Sequence, residues 1–199
     1  MHLARHTLDT SGAHNSASTP QILDYAHGYS LNNWYLEDET AGLTLDNMRA
    51  IRRFLGTDDE QGFILVHAAM VAKTPSLVAA QMAGVQAAAD NDLDALTAAL
   101  NDHAAVLADI VAVFGRMWSV SDPRAYLKFR TFIMGQVGNP GIFPEGVVYE
   151  GVSADPQYYR GETGAQDSII PSCDNFLQLS QRYPKNELTE YLVDLRFYR

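Results

Sequence analysis

The chain has 199 residues, of which 47% are hydrophobic and 19% charged, the balance of a globular protein with one good core. Its formal net charge is −10, and no basic stripe offsets it, which excludes nonspecific binding to nucleic acid and to anionic membrane surfaces. The lone cysteine, Cys173, excludes an internal disulfide framework and any CxxC metal site, and it reads as a small buried hydrophobe.

Residues 1–19 are polar and rich in His, Ser and Thr, with no apolar h-region. They read as a disordered leader without a secretory signal, and the expected compartment is the cytoplasm. No apolar run approaches the length that spans a bilayer. Residues 20–199 are expected to form a single domain. Its first segment, PQILDYAHGYSLNNWYLED, mixes aromatics with turn formers, and a short helix or turn is predicted around Ile22 to Tyr29. Thr44 then offers a helix N-cap, with Met48, Ile51 and Phe54 as the buried stripe.

Gly56-Thr57-Asp58-Asp59 ends that element and caps the next, which carries the apolar run Gly62 to Val71, GFILVHAAMV. His67 stands inside this run. On a helix it shares a face with Phe63, Ile64, Met70 and Val71. Two readings stay open for it: a core histidine with both ring nitrogens satisfied, or a neutral imidazole lining an apolar pocket. Lys73-Thr74-Pro75 breaks the helix, and Pro75 suits the first turn of another, alanine-rich one over 76–89.

The clearest periodicity follows. Leu93, Leu96, Leu100, His103, Leu107, Ile110, Phe114 and Met117 step by threes and fours, which predicts a long amphipathic helix packed along one seam, capped by Asn91 or Asp92. His103 falls in that seam and reads as a core or edge histidine. Asp122 and Pro123 start another helix, predicted to reach Met134 and stop at Gly135. Tyr126, Leu127, Arg130, Ile133 and Met134 share one of its faces. A guanidinium among apolar neighbours needs an anion. That anion is either a structural carboxylate or the carboxylate of a ligand held bidentately.

From Val137 to Ser172 periodicity vanishes into a Gly- and Pro-dense stretch with aromatic and aliphatic islands. Such a stretch inside a helical chain predicts a packed functional loop. Its piece Gly161 to Ala165 could bring backbone amides close to a ligand, although a plain turn is the commoner reason for a glycine pair. A helix from Asp174 to Gln181 and a last one from Asn186, with Leu188, Tyr191, Leu192 and Leu195 as its stripe, complete the pattern. It breaks off at Arg199 without a cap or polar tail, which reads as a cut end. The fold class is therefore all-α, a helical bundle with a long ordered Gly/Pro-rich loop.

These pieces, in this order, resemble the indoleamine 2,3-dioxygenase family. The resemblance is carried by GNPGIFPEGVVYEGV (Gly138 to Val152), GETGAQDSIIPSCD (Gly161 to Asp174), PQILDYAHGYSLNNW (Pro20 to Trp34) and GFILVH (Gly62 to His67). It implies a haem-dependent enzyme that takes tryptophan or a related indole and dioxygen, opens the indole C2–C3 bond, and yields an N-formylkynurenine-type product. By the resemblance, His67 falls at the distal position, where a neutral imidazole would accept a hydrogen bond from the indole N–H. Arg130 falls on the arginine that binds the substrate carboxylate. Tyr25, Tyr29, Phe63 and Tyr126 fall on or beside pocket-lining positions. Thr163 also falls at the substrate, and Gly161, Thr163, Gly164 and Ala165 fall in the loop against the haem. Ala125 and Asp167 depart from the family pattern, the latter standing where serine is usual and adding negative charge near the haem propionates.

The family's proximal histidine lies beyond the point where this chain ends, and none of the six histidines matches it by motif. The resemblance thus implies haem b whose proximal ligand is not in this chain, no metal ligand among these residues, and a partial chain that alone would be inactive. A missing half also leaves room for a homo-oligomer or a complementing chain. A haem-free indole-binding module or pseudoenzyme is the alternative.

Overall fold

The computed structural model describes residues 25–151, 153–159, 161, 164, 167–182, 184–187, 189 and 190. The leader expected over 1–19 and most of the expected last helix, with Leu188, Tyr191, Leu192 and Leu195, lie outside the described residues.

The described part is helical with one small sheet. Tyr25–Leu31 forms a π-helical turn. Trp34–Leu36 (β1) then pairs antiparallel with Met48–Ala50 (β2), in the register Trp34↔Ala50 and Leu36↔Met48. This sheet replaces the helix expected after Thr44, of which only a 3₁₀ turn, Leu45–Asn47, forms, with no side-chain cap from Thr44. The reason is local competition for hydrogen bonds. The Asn47 side-chain amide donates to the carbonyls of Asp38 and Gly42, and its oxygen accepts from the Asp38 N–H. The chain leaves that knot extended, with Met48 fully buried and Arg49 paired to Glu37 at 2.7 Å. Ile51 and Phe54 are 55% and 47% exposed, so the expected buried stripe does not exist.

Asp58–Val71 (α1) begins as the sequence predicts, with the Thr57 hydroxyl accepting from the Glu60 N–H and three acidic residues in the first turn. Glu60 is fully buried. It accepts from the Tyr29 hydroxyl at 3.1 Å and from the N–H groups of Phe54 and Leu55, which ties the N-terminal segments to α1. Thr74–Ala89 (α2) continues from α1 with Pro75 in its first turn. Ala72 and Lys73 separate the two helices. Asn91, with φ 54°, turns the chain, and Asp92 caps Leu93–Gly115 (α3) by accepting from the Ala95 N–H at 2.9 Å.

α3 returns along α2, its most extensive partner, and on past α1. Its seam is filled only in part. His103 and Ala99 are buried, while Leu93 is 75% exposed. Taken by length and hydropathy alone, 58–89 and 93–120 could each cross a membrane, which corrects the expectation that no apolar run is long enough. In this fold the first is divided into α1 and α2 between Val71 and Thr74.

Met117–Val120 (α4) and Pro123–Arg130 (α5) follow, the latter capped by Asp122, whose carboxylate accepts from the N–H groups of Arg124 and Ala125. α5 is shorter than expected. A 3₁₀ turn, Thr131–Ile133, finishes it, and Gly135 takes φ 67°. The buried residue of α5 is Phe129, and Leu127, expected on the buried face, is 68% exposed. Ile169–Phe176 (α6) starts five residues earlier than expected. The Asp167 carboxylate accepts from the Ile169 N–H, and Pro171 sits in the first turn, where no N–H is needed. Gln178, at φ 54°, ends the helical run. The main core joins Ala26, Tyr29, Met48, Ile64, Leu65 and Ile133.

Candidate active site

A cavity of about 420 Å³ lies beside the junction of α1 and α2. α1 contributes Phe63, His67, Met70 and Val71, and α2 contributes Thr74 and Leu77. The lower half of the α3 seam, Leu107, Ile110 and Phe114, closes the facing side together with Met117 of α4. Gly164, Asp167, Ile169, Ile170 and Cys173 close the remainder from the Gly-rich loop and α6. The walls are overwhelmingly apolar. A space of this size and lining is that of a small-molecule site.

One polar pair interrupts the apolar wall. His67 Nε2 lies 3.0 Å from Asp167 Oδ2 across 100 residues of sequence, with side-chain exposures of 12% and 8%. Asp167 Oδ1 also accepts from the Ile169 N–H at 3.1 Å. A carboxylate only accepts, so the His67 proton at this contact sits on Nε2. The pair binds the Gly-rich loop to α1 at the edge of the cavity.

A second polar chain stands behind the wall. The Gln81 side-chain nitrogen donates to Cys173 Sγ at 3.4 Å and lies 3.3 Å from His103 Nε2. Burial pushes the Cys173 thiol up from its ordinary pKa, so it stays neutral. Burial also pushes the His103 imidazole down, which favours the neutral ring that can accept from Gln81. The ring of Phe176 lies 5.0 Å from that of His103; room for it is made at Gly84, where a β-carbon would collide with it. Gln81 of α2, His103 of α3 and Cys173 of α6 thus hold three helices together.

The structure brings some of the expected site residues together and leaves others apart. Phe63, His67 and Gly164 line the cavity. Tyr126 packs on Phe63 with ring centroids 5.1 Å apart, and Phe129 does so at 5.4 Å, so α5 backs the cavity one ring away. Arg130, the last residue of α5, is half-buried and is not a lining residue. Tyr29 sits at the first turn of α1, bonded to Glu60 and stacked on Phe54 at 5.5 Å, about 10 Å along the helix from His67. Gly161 donates its N–H to the Met134 carbonyl at 2.9 Å, so that amide serves the loop's own base. Thr163, Ala165 and the side chain of Tyr25 lie outside the described residues.

Sequence reasoning missed Cys173 as a wall residue and Asp167 as the partner of His67. The signal for Asp167 was its chemistry, a carboxylate next to Ile169 and Ile170 that needs a donor if buried.

Among the described residues, His67 and His103 do not offer the axial ligand that the implied haem needs. Among the described residues no group of three or more His, Cys, Asp or Glu side chains could hold a metal ion. His67 and His103 both have Nε2 engaged, with Asp167 and Gln81. The apolar lining suits a flat apolar ligand, and among the described residues neither His67 nor His103 presents Nε2 for axial attachment.

The family described as Indoleamine 2,3-dioxygenase matches residues 14–199. The chain is 33% identical over 181 residues to indoleamine 2,3-dioxygenase 1 of Rattus norvegicus, covering 90% of this chain and 44% of that protein. It is 32% identical over 169 residues to indoleamine 2,3-dioxygenase 2 of Homo sapiens, covering 84% of this chain and 40% of that one. Indoleamine 2,3-dioxygenase nanC of Aspergillus nanangensis is 28% identical over 160 residues, 77% of this chain and 38% of its own. The chain spans less than half the length of these curated relatives.

Proposed function

Since the chain belongs to the indoleamine 2,3-dioxygenase family, we propose that it serves the haem-dependent opening of the indole C2–C3 bond of tryptophan or a related indole, supplying the substrate side of the site. One observation carries this reading: His67 of α1 lines an apolar cavity together with Gly164 and Asp167, and its ring contacts the Asp167 carboxylate. The work assigned to these residues is binding, orientation and exclusion of water. Burial of an aromatic ring against Phe63, Leu107 and Ile110 supplies affinity at roughly 25 cal/mol per Å² of apolar surface removed from water.

His67 and Asp167 give the apolar space one polar end, which fixes the ring's orientation. Arg130 is the proposed holder of the substrate carboxylate. In support, it closes the helix whose Tyr126 and Phe129 rings touch Phe63, so an amino acid whose ring lies in the cavity would extend past Phe63 toward α5.

The test is a titration of the purified chain with haemin, followed in the Soret region, with and without L-tryptophan. A Soret band that shifts on addition of L-tryptophan supports the reading. No tryptophan-dependent change, combined with no tryptophan binding by calorimetry, overturns it.

A further inference from the structure

We propose that Gln81 is a positioning residue of the cavity: its side-chain amide, shared between His103 and Cys173, fixes α6 at one register against α2 and α3 and thereby sets the wall on which a bound ring lies. This rests on the reading of the cavity as the indole site.

α6 supplies Ile169, Ile170 and Cys173 to the cavity, so the placement of this short helix decides the shape of that wall. Its apolar hold is the Phe176 ring, 5.0 Å from that of His103, in the room left at Gly84. Apolar contact is non-directional, and by itself it lets a short helix slide or turn. A hydrogen bond has a direction. Gln81 supplies one at Cys173, about one turn before Phe176. The Asp167 carboxylate, in contact with His67, ties the start of α6 to α1. Gln81 ties its later turn to α2.

The amide is itself aimed. Cys173 Sγ and His103 Nε2 lie 3.4 Å and 3.3 Å from the same nitrogen, and a side-chain amide carries two N–H donors. Each acceptor takes one of them. His103 therefore carries its proton on Nδ1, and burial favours the neutral form of both its ring and the Cys173 thiol. Gln81 and His103 are buried, which confines the amide to this orientation. Cys173 lines the cavity and Gln81 does not, so an effect of Gln81 on a ligand passes through the wall that it holds.

Cys173 is the chain's one cysteine, which makes alkylation by iodoacetamide a specific report on this wall. Its rate is measured with and without indole on the 199-residue chain, on Gln81→Met and on Met48→Ala. Indole affinity is measured by calorimetry on the same proteins, each well below its thermal melt. Gln81→Met keeps the length of the side chain without the amide. Met48→Ala controls for lost stability: Met48 lies in the main core, none of whose buried residues lines the cavity.

Saturating indole is expected to slow alkylation of the parent about tenfold or more. Gln81→Met should alkylate about fivefold faster without ligand and bind indole about fivefold more weakly, while Met48→Ala keeps the parent's affinity and protection. Should Gln81→Met fail to fold, nitrogen NMR of the His103 ring in the parent, assigned with His103→Gln, decides. A proton on Nδ1 is expected; a proton on Nε2 overturns the proposal, because Gln81 would then turn its oxygen to the ring. An unchanged affinity or an unchanged alkylation rate in Gln81→Met overturns the role of Gln81 and leaves the cavity reading standing. So does an equal loss of affinity in Met48→Ala. Indole bound without protecting Cys173 places the ring off α6 and overturns the proposal too. A parent that binds no indole removes the cavity reading, and this proposal with it.

Discussion

His103 shows what burial does to a titratable ring. It is buried in the α3 seam, Gln81 donates to its Nε2, and burial holds its pKa below the ordinary value of 6.5. The unfolded chain takes up a proton as pH falls through that value, and the folded chain does so only at lower pH. Stability contributed by the neutral ring is therefore complete above about pH 6.5 and is lost progressively below it. Urea midpoints at pH 8, 6.5 and 5 should fall more steeply for the parent than for His103→Gln; parallel profiles would mean that the ring is not kept neutral. Arg130 invites a test of another kind. If it holds a carboxylate, Arg130→Ala should weaken L-tryptophan about tenfold or more and leave indole, which has no carboxylate, unchanged in the same calorimeter. Arg130→Lys should fall between, because an ammonium lacks the planar fork.

At the scale of elements, the Gly-rich loop holds itself by backbone bonds. Val147 and Gln157 exchange N–H to carbonyl bonds at 2.9 Å in both directions, and Val137 donates to the Tyr159 carbonyl. Gly146 makes the first of these possible. Its φ is +82°, and a β-carbon there would collide with the Gln157 carbonyl. Gly146→Ala should open this bridge locally. Hydrogen exchange at the Val147 and Gln157 amides should quicken by about tenfold or more, following the roughly 1–2 kcal/mol cost of a left-handed alanine, while α1 amides hold their rates.

Local physics of this kind explains what was legible beforehand. The caps at Thr57, Asp92 and Asp122 and the prolines at 75 and 123 depend on neighbours in sequence, and these helix starts were read correctly. The strand at Met48–Ala50 was not, because the side-chain bonds between Asn47, Asp38 and Gly42 outweighed the apolar spacing. Nor was the His67–Asp167 contact, whose two halves lie 100 residues apart. The resemblance pointed to both segments without showing that the two side chains touch.

For the whole molecule, what matters is which apolar residues are packed. α2 presents Leu77 inward, fully buried and lining the cavity, and Met82 outward at 65% exposure. The two differ little in hydrophobicity and stand on the same helix, so the fold alone distinguishes them. Removing side-chain atoms beside an existing cavity enlarges it. Leu77→Ala should cost about 2–5 kcal/mol. Met82→Lys exchanges one exposed side chain for another on a good helix-forming residue and should change stability by less than about 0.5 kcal/mol. Guanidinium unfolding of the two variants beside the parent checks both values. Equal losses at the two positions would mean that the outer face of α2 is packed in solution and that the cavity is not where the helices are held apart.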